Sequence, residues 1–123
     1  MLNHVSIGVA DIARARDFYD AALAPLGYRC LDHGEAHLGY GAETVALWLL
    51  KEEGVSSGDT RPGLHLCFEA PDRPAVAAFH EAALARGGRD NGAPGLRPDY
   101  GANYFAAFAI DPDGYRIEAC CAG

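Results

Sequence analysis

The chain has 123 residues, and half of them are hydrophobic, so it can bury a core of its own as one domain without disulfide or metal support. Its net charge of −7 argues against a nucleic-acid partner, because binding to phosphates depends on clustered Lys and Arg. No stretch approaches the ~18 apolar residues of a membrane helix, and no secretory signal is evident. We therefore expect no membrane partner, a cytoplasmic location and four free cysteines, none of which form a CxxC pair.

An internal repeat organises the chain. At an offset of 61 residues, from His4 to His65, segment 4–27 aligns with segment 65–88. Alanine matches are expected by chance here, but His, Asp, Phe and Gly in one register are not. The matched positions are His4 with His65, Asp11 with Asp72, Phe18 with Phe79, Gly27 with Gly88, and a shared Ala-Ala-Leu-Ala tetrad. The repeat predicts a single domain made of two modules, 1–54 and 60–123.

The first module begins with a strand in which Val5, Ile7 and Val9 alternate with polar or small residues. Asp11 then stands where a helix N-cap belongs, and the following helix ends at Pro25-Leu26-Gly27. Three extended segments follow, at about 28–31, 36–40 and 44–50. The charged, Gly- and Ser-rich segment 51–62 is predicted to be an exposed linker.

The second module repeats this order. Leu66 and Phe68 alternate with polar residues, and Asp72 precedes a helix with Pro74 in its first turn. Strands are predicted at 105–110 and 115–120, on either side of a turn at 111–114. Segment 97–104 has no counterpart in the first module and is an insertion. The repeated unit is therefore βαβββ.

Three potential metal ligands, His4, His65 and Glu118, are predicted on the sheet faces opposite the helices. If helices cover the apolar face of each sheet, the opposite face carries His4 in one module and His65 in the other. In the closing strand, alternation places Ile117 in the core and Glu118 on the inner face, beside Cys120. Two imidazoles and a carboxylate can hold a divalent metal while leaving positions open for substrate.

These residues resemble the vicinal oxygen chelate superfamily, which includes glyoxalases, bleomycin-resistance proteins and ring-cleaving dioxygenases. The resemblance covers the whole chain and rests on residues 2–6, 65–68 and, most specifically, 111–118, Asp-Pro-Asp-Gly-Tyr-Arg-Ile-Glu. It implies an α+β fold in which two βαβββ modules form an open β-cup with helices outside. It also implies metal ligation by His4, His65 and Glu118, chelation of vicinal substrate oxygens, and a homodimer.

The chain departs from the named activities in specific ways. Glyoxalase I carries a fourth ligand, a carboxylate, in the stretch that matches 45–49, where this chain has Trp48. Ser6 stands where fosfomycin-resistance transferases carry a hydroxyl residue, but their phosphonate-binding basic residues have no match after Glu118. Ring-cleaving dioxygenases typically contain four modules. Lyase or isomerase chemistry of the glyoxalase type fits best, with Glu118 as the catalytic residue.

Four residues are predicted to contact the substrate: Ser6, Trp48, Tyr100 and Tyr104. A tryptophan near a core more often serves packing, which is the alternative for Trp48. Tyr100 and Tyr104 could equally form a dimer contact. A histidine on a half-buried strand is often structural, and Glu118 could form a surface ion pair. Cys67 points the same way as His65, but a free cysteine is usually a small buried hydrophobe, and we expect no role for it.

The sequence therefore predicts a metal-dependent lyase or isomerase that acts on a small-molecule substrate with vicinal oxygens. Zn, Ni, Mn or Fe would be the cofactor, and glutathione is a candidate co-substrate. The alternative is a metal-free protein that sequesters a small molecule, as bleomycin-resistance proteins do. A purely structural or interaction module is the third hypothesis.

Overall fold

The computed structural model describes residues 1–54 and 63–122, which form two four-stranded sheets, each with one α-helix. The first module contains β1 (Val5–Val9), α1 (Ile12–Leu23), β2 (Arg29–His33), β3 (His37–Gly41) and β4 (Leu47–Lys51). The second contains β5 (His65–Glu69), α2 (Arg73–Ala85), β6 (Arg89–Leu96), β7 (Phe105–Ile110) and β8 (Arg116–Cys121). The predicted βαβββ repeat is confirmed.

The two sheets have the same topology. Their strand orders are β1-β4-β3-β2 and β5-β8-β7-β6, so β1 and β5 each lie at the edge of a sheet. β1 runs parallel to β4, and β5 runs parallel to β8. Ser6 pairs with Trp48, and Cys67 pairs with Glu118. Because Ser6 and Cys67 are equivalent in the repeat, Trp48 occupies the place in the first module that Glu118 occupies in the second.

Both helices begin at the predicted aspartates. The Asp11 carboxylate accepts a hydrogen bond from the Arg14 backbone N–H at 3.0 Å, and Asp72 accepts one from Ala75 at 2.9 Å. Such caps satisfy backbone donors that the first turn leaves unpaired. After α1, a 3₁₀ turn (Ala24–Leu26) ends at Gly27, whose φ of 90° favours glycine.

The hydrophobic core is continuous between the modules because α1 packs against α2. Phe18, Tyr19, Tyr40 and Phe79 are fully buried there, together with Leu49 of β4. Burial of each large apolar side chain contributes about 1.5–3 kcal/mol. The helices cover the apolar faces of the sheets. The opposite faces, which carry the exposed Ser6 and Cys67, are covered by neither helix, as expected for an open cup with helices outside.

The turn at 111–114 ties the second module to the first. Asp111 accepts a hydrogen bond from the Tyr19 hydroxyl, and Asp113 accepts from the Ala10 backbone at 3.0 Å and from the Arg14 guanidinium at 2.9 Å. Both aspartates are buried. Burial is the main reason that the pKa of Asp111 is raised to about 6. The specific Asp-Pro-Asp-Gly run therefore has a structural role in joining the modules.

Two details differ from the sequence-based expectation. β6 was not located from the pattern, because Gly92 and Pro94 interrupt the alternation and its pairing with β7 is irregular at Asp90 to Gly92 and at Gly92 to Gly95. Lys51, predicted to begin the linker, is the last residue of β4. Residues 55–62, the rest of that linker together with the predicted start of the second module, lie outside the described residues. Within residues 1–54 and 63–122, no helix is long and apolar enough to cross a membrane.

Candidate functional site

A histidine and a buried carboxylate meet on the uncovered face of the second sheet. His65 Nε2, at the start of β5, lies 2.7 Å from Glu118 Oε1 in the middle of β8. Glu118 is only 5% exposed, whereas the side chain of His65 is 43% exposed. Glu118 is therefore not the exposed surface carboxylate of the alternative interpretation. The accessible imidazole and the carboxylate beneath it are two of the three predicted metal ligands.

Tyr104 forms a hydrogen bond with the second oxygen of the Glu118 carboxylate. Its hydroxyl donates to Glu118 Oε2 at 2.6 Å, so both carboxylate oxygens have a partner. Burial and hydrogen bonds to neighbouring groups raise the pKa of Tyr104, which keeps the hydroxyl protonated and able to donate. Tyr100 contacts Tyr104 edge to face at 5.5 Å between ring centroids and is 67% exposed. Both tyrosines come from the inserted segment 97–104.

The third predicted ligand, His4, lies apart from this pair. It is exposed, and its Nδ1 lies 2.7 Å from the Asn3 side-chain oxygen. Among the residues that the structure describes, the one group of three potential ligands with atoms within 4.8 Å of one another excludes His4 and consists of Cys67, Glu118 and Cys120. His4 immediately precedes the edge strand β1. A single chain thus brings together His65 and Glu118, but not His4.

Two thiols, of Cys67 and Cys120, lie close to the Glu118 carboxylate and were not predicted as ligands. Cys67 Sγ lies 3.3 Å from Cys120 Sγ and 3.9 Å from the Tyr104 hydroxyl. All four cysteines are free thiols, and Cys67 is exposed, so it is not the buried hydrophobe we expected. Partial burial, the hydrogen bond between the Cys67 and Cys120 thiols and the negative charge of Glu118 raise the pKa of the Cys67 thiol. The raised pKa disfavours a nucleophilic thiolate. Strand alternation put both cysteines on this face, but their proximity was missed.

In the first module, Trp48 fills the position equivalent to Glu118. Its ring lies against Gly39, where an added Cβ would come within 2.7 Å of Trp48 Cζ3, and its centroid is 6.1 Å from that of His37. Trp48 is half-buried, and Ser6 beside it on β1 is exposed. The indole is therefore packed against its own sheet and also presents a surface on the uncovered face.

The comparisons with known proteins agree with this architecture. Residues 1–119 match the profile of the Glyoxalase/Bleomycin resistance protein/Dioxygenase superfamily. The chain belongs to this superfamily. It is similar to a glyoxalase/bleomycin resistance protein of Albidiferax ferrireducens T118, with 29% identity over 98% of both chains and a TM-score of 0.85.

Two more distant structures share the fold alone. They are a glyoxalase-related enzyme of Fulvimarina pelagi and the fosfomycin resistance protein FosX of Listeria monocytogenes. The first is 18% identical, with 98% of this chain and 86% of that chain covered and a TM-score of 0.76. The second is 13% identical, with 98% and 91% covered and a TM-score of 0.71. No curated protein matches the chain significantly.

An aromatic and cationic group that the sequence analysis did not single out borders the site of this superfamily member. The Phe108 ring contacts His65 edge to face at 5.8 Å between centroids. The Arg97 guanidinium lies 5.2 Å from the Phe108 centroid and donates to the Ala93 carbonyl at 2.7 Å. Phe108 pairs with Glu118 across β7 and β8, so alternation along β7 is the signal that could have found it.

A cavity of about 710 Å³ reaches His65 and Cys67 from the side of the first module. Its wall is mostly apolar and includes Tyr28, Tyr40 and Phe68. This volume lies in the range of about 300–1,000 Å³ that is usual for small-molecule sites. The cavity runs along the edge strand β5 and touches His65 and Cys67, but Glu118 and Tyr104 do not line it, so it adjoins the candidate site without containing the carboxylate.

Proposed function

We propose that this chain is a metal-dependent lyase or isomerase of the glyoxalase type that acts on a small substrate with vicinal oxygens. The observation that carries the proposal is the Glu118 carboxylate, which is buried yet lies between His65 and Tyr104 on an uncovered sheet face. A buried carboxylate costs free energy unless it is well partnered. Its position beside an accessible imidazole supports a functional role.

The His65–Glu118 pair fits a divalent ion. Neighbouring ligands of one such ion are separated by about 3 Å, given metal–ligand distances of about 2.0–2.2 Å. His65 Nε2 and Glu118 Oε1 are 2.7 Å apart, so modest side-chain adjustment would suffice. Zn, Ni, Mn and Fe all accept imidazole and carboxylate ligands. A bound ion would supply Lewis-acid polarisation of the two substrate oxygens.

A second copy of the chain would complete the ligand set. Among residues 1–54 and 63–122, no strand pairs with the outer side of β1 or of β5. His4 precedes β1, and His65 begins β5. If β1 of one copy approached β5 of the other, His4 would reach His65 and Glu118. A two-fold axis would then create two identical sites. We therefore propose a homodimer in which each site takes His4 from the partner.

The chain's own residues have separate roles in this proposal. Glu118 transfers the substrate proton, and the Tyr104 hydroxyl orients its carboxylate through Oε2. Because Trp48 stands at the equivalent position of the first module, removal and return of the proton would depend on Glu118 alone. Trp48 and the exposed Ser6 would line the substrate space from one module, and Tyr100 and Tyr104 from the other.

The experiment compares metal content and turnover among matched variants. Wild type, His4→Ala, His65→Ala and Glu118→Gln are purified without chelator, and the exposed His33→Ala serves as control. Each protein is assayed with α-ketoaldehydes, with and without glutathione, and with Ni²⁺, Zn²⁺, Mn²⁺ or Fe²⁺. We expect the three site variants to lose metal and turnover, while His33→Ala keeps both. The proposal fails if wild type binds no more metal than Glu118→Gln and if added metals change neither melting temperature nor turnover.

One observation favours a second candidate, metal-free capture of a small molecule. Trp48 presents an aromatic surface where a carboxylate ligand would otherwise stand, and the net charge of −7 attracts cations. Trp48 is the single tryptophan, so its fluorescence reports binding directly. If planar cationic compounds quench it equally in wild type and Glu118→Gln, and no metal-dependent turnover is found, capture replaces catalysis.

A further inference from the structure

Cys67, Cys120 and Glu118 form a second group of potential ligands, which includes the carboxylate but not His65. Cys67 pairs with Glu118 across β5 and β8, and Cys120 follows Glu118 by two residues, on the same face. The two Sγ atoms are 3.3 Å apart, and each lies within 4.8 Å of a Glu118 oxygen. Neither thiol is needed by the proposed proton transfer, so the pair has no role in the site described above.

The donor set differs in chemistry from the imidazole–carboxylate pair. Thiolates are soft ligands that select borderline and soft ions, such as Zn²⁺ or Cd²⁺. Zn–S bonds of about 2.3 Å place two sulfurs about 3.8 Å apart in a tetrahedral site, so the observed pair would have to open by about 0.5 Å. Cys67 is exposed, and a small rotation of its side chain would provide this.

The carboxylate is close to this side, because one of its oxygens lies within 4.8 Å of both sulfurs. Its Oε2 accepts from Tyr104, whose hydroxyl is also 3.9 Å from Cys67 Sγ. Its Oε1 faces His65 instead. Glu118 thus separates two possible binding positions, one on the imidazole side and one on the thiol side. The thiol-side position takes all three ligands from one chain, whereas the other depends on His4 of a second copy.

We infer that Cys67, Cys120 and Glu118 form a site for a thiophilic divalent cation, with water as the remaining ligand. Binding converts both thiols to thiolates and releases two protons to solvent for each ion. The site shares Glu118 with the proposed catalytic position but uses neither His4 nor His65. It gives this chain a second position for divalent ions, one that favours thiophilic ions over those that bind only oxygen and nitrogen ligands.

Titration of the reduced full chain with Co²⁺ or Cd²⁺ tests this inference. We expect a sulfur-to-metal charge-transfer band in the ultraviolet, with two protons released per ion. Cys67→Ser and Cys120→Ser should each weaken binding at least about tenfold. Cys30→Ser, at a half-buried thiol of the first module, should leave the band unchanged. His4→Ala should also keep the band, although it removes the proposed metal-dependent activity, so the two proposals can fail separately.

A measurement on wild type alone guards against misfolded variants. Alkylation followed by peptide mass spectrometry should show that Cd²⁺ slows the labelling of Cys67 and Cys120. The labelling rate should fall about tenfold or more, which matches the loss of affinity expected for the single variants. Labelling of Cys30 should not change. Equal labelling of Cys67 with and without Cd²⁺, or a charge-transfer band that persists in the Cys67→Ser, Cys120→Ser double variant, would overturn the inference.

Discussion

Replacement of Tyr104 by Phe removes one hydroxyl and tests how the site holds its carboxylate. In wild type, Glu118 is 5% exposed and accepts hydrogen bonds from His65 at 2.7 Å and from Tyr104 at 2.6 Å. Without the hydroxyl, Oε2 loses its partner, and little water reaches it. Tyr100→Phe is the matched control, because Tyr100 lies in the same loop but is 67% exposed.

The expected loss follows from the charge and burial of the acceptor. A hydrogen bond to a charged group contributes about 1.5–3 kcal/mol, and the partial exposure of Tyr104 places the effect near the lower end. We therefore expect Tyr104→Phe to lower the free energy of unfolding by about 2 kcal/mol. For a domain of this size, that corresponds to a melting temperature lower by roughly 5–10 °C. The control should stay within about 0.5 kcal/mol of wild type.

Urea denaturation followed by Trp48 fluorescence gives the stability, and isothermal titration with Zn²⁺ gives the metal affinity. Because Tyr104 orients a proposed ligand, its loss should also weaken metal binding about 10- to 100-fold. Equal stabilities and affinities for Tyr104→Phe and Tyr100→Phe would refute the reasoning, since Glu118 would then not depend on the Tyr104 hydroxyl.

Two further predictions concern the fold around the site. Because burial raises the pKa of Asp111 to about 6 from its ordinary 3.8, the folded state holds this proton more tightly than the unfolded state. The resulting stabilisation is complete below pH ~4 and is lost as the pH rises through about 6. In urea titrations between pH 4 and pH 7, wild type should lose up to ~3 kcal/mol of its free energy of unfolding relative to Asp111→Asn. Parallel plots of unfolding free energy against pH for the two proteins would contradict this. Gly39→Ala places a Cβ 2.7 Å from Trp48 Cζ3. We therefore expect a shifted Trp48 emission spectrum and a free energy of unfolding lower by about 1–3 kcal/mol. Unchanged fluorescence would show that the indole lies elsewhere.

Local patterns were sufficient to predict most of the fold. The 61-residue offset identified the two modules, and Asp11 and Asp72 marked both helix starts because an N-cap is a short-range interaction. β6 escaped prediction because Gly92 and Pro94 break the alternation. Its strand conformation depends on irregular pairing with β7, which is a non-local interaction.

The candidate site was predicted only in part. Strand alternation assigned His65, Glu118 and Cys120 to one face, since successive side chains point to opposite sides. It could not show that Glu118 is buried under His65 and Tyr104, because Tyr104 comes from a loop whose position depends on packing. The 3.3 Å approach of Cys67 to Cys120 likewise required the register between β5 and β8.

The position of His4 shows the limit most clearly. The sequence by itself determined the module repeat, the helix starts and the polar face on which each histidine lies, because these follow from local spacing. Tertiary structure decided that α1 packs against α2 and that β1 and β5 remain the edges of separate sheets. Which faces meet depends on contacts between residues far apart in the chain, so His65 reaches Glu118 while His4 stays apart from both.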